Sequence, residues 1–292
     1  MKRGKMFGAA LAAVLGLYIG FEMGVNPVDA QTPVEVADTA NWRAVDPENL
    51  LIFDTSKGRI YIELAPEFAP GHVARIREVV RAGWYANTPF HRVIADFMAQ
   101  GGDAAIVHPA AASLAPIAGE FTLRRDASME LDLVGPRETA RFGWYKGFPV
   151  STQSEFLMDM SPDRKVETFI RHCKGVASMA RTSDPDSATD QFFIMRSDKT
   201  HLDAQYTAWG RVLLGQDVVD RLSVGEPPRV PDRLISASVA SDLPTARRPQ
   251  AWVKRTDGPH YALIREEADR RAASDVCALG PVPAHVVDPV TR

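Results

Sequence analysis

Cysteine is nearly absent. Cys173 and Cys277 are the only two in 292 residues, too few to staple a small scaffold or to build a Cys-rich zinc site. The seven histidines offer no substitute, since they include no His-x-x-x-His pair and no cysteine at ligand spacing. A metal or other cofactor is therefore not expected. Charge of one sign is missing too: 34 Lys and Arg against 37 Asp and Glu give a net charge of -3, interspersed along the chain. No basic field is available to hold nucleic acid or anionic lipid. There is no internal repeat, no low-complexity tract, and no apolar run of the roughly 20 residues that a stable membrane span needs. What remains, 45% hydrophobic and 24% charged residues, is the make-up of a globular protein with a substantial core.

One shorter apolar run does occur, from about Met6 to Phe21, preceded by Lys2, Arg3 and Lys5 and followed by Glu22, Gly24, Pro27 and Val28-Asp29-Ala30. A basic start, a short apolar centre and small residues at a cleavage point form the pattern of a secretory signal. Residues 1–30 are expected to be that signal, cut after Ala30, with the mature chain starting at Gln31 and working in the periplasm or outside the cell. An uncleaved anchor is the competing reading, disfavoured because the run is only about sixteen residues. Export would bring Cys173 and Cys277 into an oxidising compartment. A bridge closing about a hundred residues would be worth roughly 4 to 5 kcal/mol in the chain-entropy view; two unpaired thiols are the equal alternative.

Residues 31–49 show no clean period and are expected to be an extended lead-in. Leu50 to Asp54 and Arg59 to Leu64 alternate like strands about Thr55-Ser56-Lys57-Gly58, predicting a hairpin. Val73, Ile76, Val79 and Val80 recur at helical spacing up to Gly83, a natural helix end. Phe90 to Ile94, Gly175 to Ala180, Gln191 to Arg196, Thr207 to Leu213 and Leu234 to Val239 have the length and flanks of short strands, and Gly215 to Leu222 of a second helix. Many short strands and few helices predict a mainly β barrel or sandwich over residues 50–242. An insertion of about 104–174 is too long to be structureless, so added hairpins or a short helix are expected there. A C-terminal extension, 243–292, carries a predicted helix from about Pro259 to Ala273, with Asp257 near its N-cap and Tyr261, Ile264 and Ala268 facing inward.

Two segments carry the chemistry. The first is Phe90-His91-Arg92-Val93-Ile94-Ala95-Asp96-Phe97-Met98-Ala99-Gln100-Gly101-Gly102-Asp103. The second runs from Gly175-Val176-Ala177-Ser178-Met179-Ala180-Arg181 through Asp190-Gln191-Phe192-Phe193-Ile194 to His201-Leu202-Asp203 and Tyr206-Thr207-Ala208-Trp209-Gly210. In content and order these segments closely resemble the signature segments of the cyclophilins, over about Leu50 to Asp242 apart from the insertion. The resemblance implies an eight-stranded antiparallel barrel capped by two helices, with a filled interior and a groove on its outer face. It implies a peptidyl-prolyl cis-trans isomerase with Arg92 as the catalytic arginine. The proline pocket then falls on Phe97, Met98, Phe193 and Leu202, the carbonyl-binding amide on Gln100, and the substrate-lining backbone on Ala180 and Arg181. Gln191, His201 and Tyr206 complete the substrate-binding set.

The residue types suit that reaction. Rotation about an X-Pro bond is slow because amide resonance sets a barrier of about 18 to 20 kcal/mol. No bond has to break. A donor that binds the pyramidal prolyl nitrogen better than the planar one lowers the barrier, and an always-protonated arginine fork can do so while gripping a neighbouring carbonyl. About 7 kcal/mol of such help gives roughly a 10⁵-fold gain in rate. Taken alone, an arginine on a strand is a solvated side chain and alternating Phe, Met and Leu are core; the segments in register raise them above that reading. His201 stands where many members carry a tryptophan that supports cyclosporin binding, so weak sensitivity to the drug is expected. Trp144, Tyr145, Phe148 and Phe156 are expected to form a mini-core private to the insertion. The expected partners are proline-containing polypeptides, with the insertion and extension as places where an envelope protein could dock. A non-catalytic binder of proline peptides is the alternative, disfavoured by the presence of Arg92 beside an intact pocket.

Overall fold

The computed structural model describes residues 38–290 except Arg137 and Ser274. The expected signal and its cut after Ala30 lie outside the described residues. In chain order the elements are β1 (Trp42–Ala44), β2 (Leu50–Thr55), β3 (Gly58–Leu64), α1 (Pro70–Arg81), β4 (Thr88–Pro89), β5 (Arg92–Val93), β6 (Met98–Gly101), β7 (Leu123–Arg125), β8 (Asp132–Val134), β9 (Arg141–Tyr145), β10 (Phe148–Thr152), α2 (Glu155–Met160), β11 (Val166–Ile170), β12 (Val176–Met179), β13 (Phe192–Met195), β14 (Ala208–Leu214), α3 (Gln216–Asp220), β15 (Arg233–Val239), β16 (Gln250–Lys254), α4 (Pro259–Arg270) and β17 (Ala284–Val287).

Hydrogen bonding groups these strands into three antiparallel sheets. The largest has nine strands in the order β4-β15-β2-β3-β14-β12-β13-β6-β5. A mainly β, cyclophilin-like architecture is therefore present, but the expected eight-stranded closed barrel is not what the pairing draws. The chain leaves the β ladder at Phe90 and His91, so β4 and β5 fall at opposite edges of the sheet although they are neighbours in sequence. Phe90 is held there because its N–H donates to the Asp232 carbonyl at 2.8 Å and its ring is buried.

Alternation along the strands sorts the sheet's two faces. Phe53, Ile60, Ile62, Ala99, Ala177, Phe192, Ile194 and Trp209 gather on the inner side. The inward faces of both predicted helices join them there, Val73, Ile76 and Val79 from α1 and Val218 and Val219 from α3. α1 has no capping side chain of its own. Instead the Glu120 carboxylate accepts from the Gly71 and His72 N–H groups at 2.9 and 3.0 Å, satisfying free donors at the positive end of the helix. Burial alone would raise that carboxyl, but the His72 ring and these two N–H groups outweigh it and hold it below the ordinary value.

The insertion forms a five-stranded sheet, β7-β11-β10-β9-β8. Its hairpins were expected; the private mini-core was not found. Trp144 and Phe148 are buried, but they share one cluster with barrel residues such as Tyr61 and Val176 and extension residues such as Tyr261 and Ala268, while Phe156 is 57% exposed. The lead-in is not merely extended either, since its β1 pairs with β16 of the extension, which pairs with β17. Helix α4 lies where its period predicted, with Tyr261 and Ala268 buried and Asp257 next to the Gly258 cap, where it pairs with Arg255. The two cysteines are joined, Cys173 to Cys277, tying the extension to the segment that enters β12. Among the described residues no helix is long and apolar enough to cross a membrane.

Three charged residues hold the additions to the barrel. Arg211 is buried, and burial lowers its pKa while Glu63 opposes the shift. Glu63, 4% exposed, takes Arg211 at 3.3 Å and Arg43 of the lead-in at 2.6 Å. Arg211 also donates to the Val282 carbonyl of the extension at 3.3 Å and lies over the Phe148 ring of the insertion.

Candidate active site

A pleated strand sends successive side chains to opposite faces, and this divides the two signature segments between core and groove. On β13, Phe192 and Ile194 face inward while Phe193 and Met195 face out; on β6, Ala99 faces inward and Met98 out. The consecutive phenylalanines thus do different work, one filling the barrel and the other flooring the groove.

Register then builds a row across the sheet. Arg92 on β5 lies opposite Gln100 on β6, Gln100 opposite Phe193 on β13, and Phe193 opposite Ser178 on β12. Side chains directly opposite on one face stand about 4.5 to 5.5 Å apart. A cation, an amide and an aromatic ring are therefore set side by side by backbone pairing alone. The return from β6 is made possible by Gly102, whose φ is +86° and where an added Cβ would lie 2.7 Å from the Asp190 carbonyl.

Loops complete the concavity. The 3-10 turn Thr200–Leu202 brings in Leu202, buried, and His201, exposed, with the His201 ring 6.1 Å from that of Phe97. Tyr206 meets Phe193 edge-on, ring centroids 5.7 Å apart. Arg181 stands 4.4 Å above the Tyr206 ring and donates to the Gln205 and Thr182 carbonyls, so its fork is spent on fixing the far wall. Gln100 donates to the Gln191 side chain at 3.0 Å. The result is a cavity of about 390 Å³ lined by Arg92, Phe97, Met98, Gln100, Ala180, Arg181, Phe193, His201, Leu202, Gln205 and Tyr206.

Every residue expected at the site from the sequence is in or directly against this cavity, Gln191 through its bond to Gln100. Three participants were not foreseen. Gln205 joins the lining, its side-chain amide donating to the His201 carbonyl at 3.0 Å. His172, fully buried, stacks beneath Phe193. Glu226 accepts from Arg92 Nε at 2.6 Å. Nothing in the local pattern marks Glu226, which lies 134 positions from its partner. No metal centre is built here: the one His, Cys, Asp or Glu triad with converging ligand atoms among the described residues is Cys173, Asp198 and Cys277, and its thiols are committed to each other.

The model of the family described as cyclophilin type peptidyl-prolyl cis-trans isomerase/CLD matches residues 50–239. The chain belongs to this family. A probable peptidyl-prolyl cis-trans isomerase of Brucella suis is 34% identical over 208 residues, covering 68% of this chain and 86% of that protein. A peptidyl-prolyl cis-trans isomerase of Acinetobacter baylyi is 29% identical over 201 residues, with 64% and 83% covered. The crystal structure of a cyclophilin from Hirschia baltica superposes with a TM-score of 0.81 at 49% identity, covering 86% of this chain and 96% of that one. That coverage is wider than residues 50–239, so the cyclophilin's likeness to its Hirschia relative reaches into its additions. The isomerase works on proline-containing polypeptides.

Proposed function

We propose that this cyclophilin catalyses X-Pro rotation with Arg92 as the donor to the prolyl nitrogen and that it acts on exported proteins outside the cytoplasm. The observation that carries the assignment of roles is the cross-sheet row of Arg92, Gln100 and Phe193. With the ring seated on Phe193 between Met98, Phe97 and Leu202, the C–N bond lies between a fixed ring and a free carbonyl. The Arg92 guanidinium then reaches the nitrogen as its lone pair develops, a charge-assisted bond that favours the twisted state over either planar isomer. Gln100, oriented by Gln191, receives the swinging carbonyl. No nucleophile or general base has a part, because no proton moves.

The Cys173–Cys277 bridge supports work in an oxidising compartment, and the basic and apolar start of the chain supports export. We also read β4 and β5 as two halves of one strand interrupted at Phe90 and His91, which would make the catalytic unit, residues 50–242, an eight-stranded barrel. The lead-in, insertion and extension are then a second layer on its outer surface, where an envelope partner would dock.

The test is cis-to-trans isomerisation of a proline tetrapeptide by the protein from Gln31, against Arg92→Ala with its fold checked by circular dichroism. Collapse of kcat/KM in the variant is the expected result. Full activity without Arg92 would overturn the assignment. Cell fractionation of the full chain tests the location, with recovery in the cytoplasm as the contrary outcome.

A further inference from the structure

The geometry points to Glu226 as a positioning residue that aims the Arg92 guanidinium into the groove, an inference that rests on the role proposed for Arg92. Arg92 sits on a two-residue strand with its side chain 40% exposed. An arginine so placed would ordinarily spread over several rotamers. Here the Glu226 carboxylate takes the Nε–H at 2.6 Å. Nη1 and Nη2 have no acceptor among the described residues, and Arg92 lines the cavity. Because the guanidinium is planar and rigid, fixing Nε fixes the plane in which both remaining donors lie. They are left to the substrate.

The carboxylate is itself held in place by backbone. Val93 and Gly225 exchange hydrogen bonds, Val93 N–H to the Gly225 carbonyl at 2.8 Å and Gly225 N–H to the Val93 carbonyl at 2.9 Å. The residue after Gly225 is thereby set beside the residue before Val93. The loop is pinned on both sides of its span, since Asp232 accepts from the Ser223 N–H at 2.8 Å through its side chain and from the Phe90 N–H at 2.8 Å through its carbonyl. An ion pair that served only stability would gain little at this exposure. Its value lies in holding the donors before the substrate arrives, so that less ordering is left for the transition state.

The experiment is a double-mutant cycle on proline-tetrapeptide isomerisation, with kcat and KM resolved for wild type, Glu226→Ala, Arg92→Ala and the double variant, the slow ones at raised enzyme concentration. Glu226 bonds to Arg92 and does not itself line the cavity that holds the proline ring. Glu226→Ala should therefore lower kcat by about two- to fivefold, the range open to an exposed pair, with KM and melting temperature unchanged. In the Arg92→Ala background the same substitution should change nothing. An unchanged kcat in Glu226→Ala, a change in KM alone, or an equal loss in both backgrounds would overturn the inference while leaving Arg92 in its role. Full activity of Arg92→Ala would instead remove the reading on which it rests.

Discussion

His172 lies beneath Phe193, the two rings 22° apart in plane and 6.2 Å apart at their centroids. Its Nδ1 meets the Asp203 carboxylate at 3.1 Å and its Nε2 the Ser178 hydroxyl at 3.0 Å. Each ring nitrogen of His172 therefore has a polar partner, a carboxylate on one side and a hydroxyl on the other. The groove floor thus rests on a polar residue that is fully buried and fully bonded. Replacing it by alanine leaves the Ser178 hydroxyl without its partner and opens a void under the pocket, while Asp203 keeps Arg171 and the backbone N–H of residue 172. His172→Ala is expected to lose about 2 to 4 kcal/mol in urea unfolding and to raise KM for a proline peptide. An unchanged KM would mean that Phe193 keeps its place without this support.

Glu63 neutralises a buried arginine at the joint between the barrel and its additions. Removing one member of such a pair costs about 3 to 5 kcal/mol, because the other is left as an unpaired buried charge. Glu63→Ala should show that loss in denaturant unfolding, and Glu63→Ala with Arg211→Met should recover most of it. Equal stability of the two variants would show that packing rather than charge governs the joint.

Asp232 gives the groove loop an acid limit. Burial would raise its carboxyl, but the Ser223 N–H and hydroxyl, the Ser56 hydroxyl and Lys57 outweigh that and hold it below the ordinary value. A depressed folded pKa contributes stability above the unfolded value, about 3.9, and that contribution fades as pH falls toward the folded one. Thermal melts should show Asp232→Asn losing stability relative to wild type at pH 6, with the gap narrowing below about pH 4. A gap that is constant across this range would remove Asp232 from the acid response.

His201 is exposed on the rim beside Phe97, where an indole would offer a far larger apolar face. Cyclosporin is expected to inhibit the wild type weakly and His201→Trp at about tenfold lower concentration, the gain of one aromatic anchor. Equal inhibition of both would place the drug's determinant elsewhere on the groove.

The barrel strands and the groove were legible because each depends on period two and on contiguous segments. Once Phe192 is inside, Phe193 has to be outside, and the same alternation orders Met98 and Gln100. What escaped is long-range. Trp144 and Phe148 read as a core of their own because nothing in the insertion says that Val176, Tyr261 and Ala268 will cover them. Glu226 is set beside Arg92 by the Val93–Gly225 pairing, which no local pattern encodes. Cys173 and Cys277 could be counted, but their union depends on α4 and the chain after it folding back onto the barrel.

The edges of the nine-stranded sheet have a further meaning for a protein that handles unfolded chains. Each edge strand is only two residues long; one contains Pro89, which has no N–H to offer, and the other contains Arg92, which is charged. Short edges carrying proline or charge are poor templates for another strand. Along this sheet an extended client therefore finds a groove to lie in and no long edge to join, which disfavours accretion of the client on its catalyst.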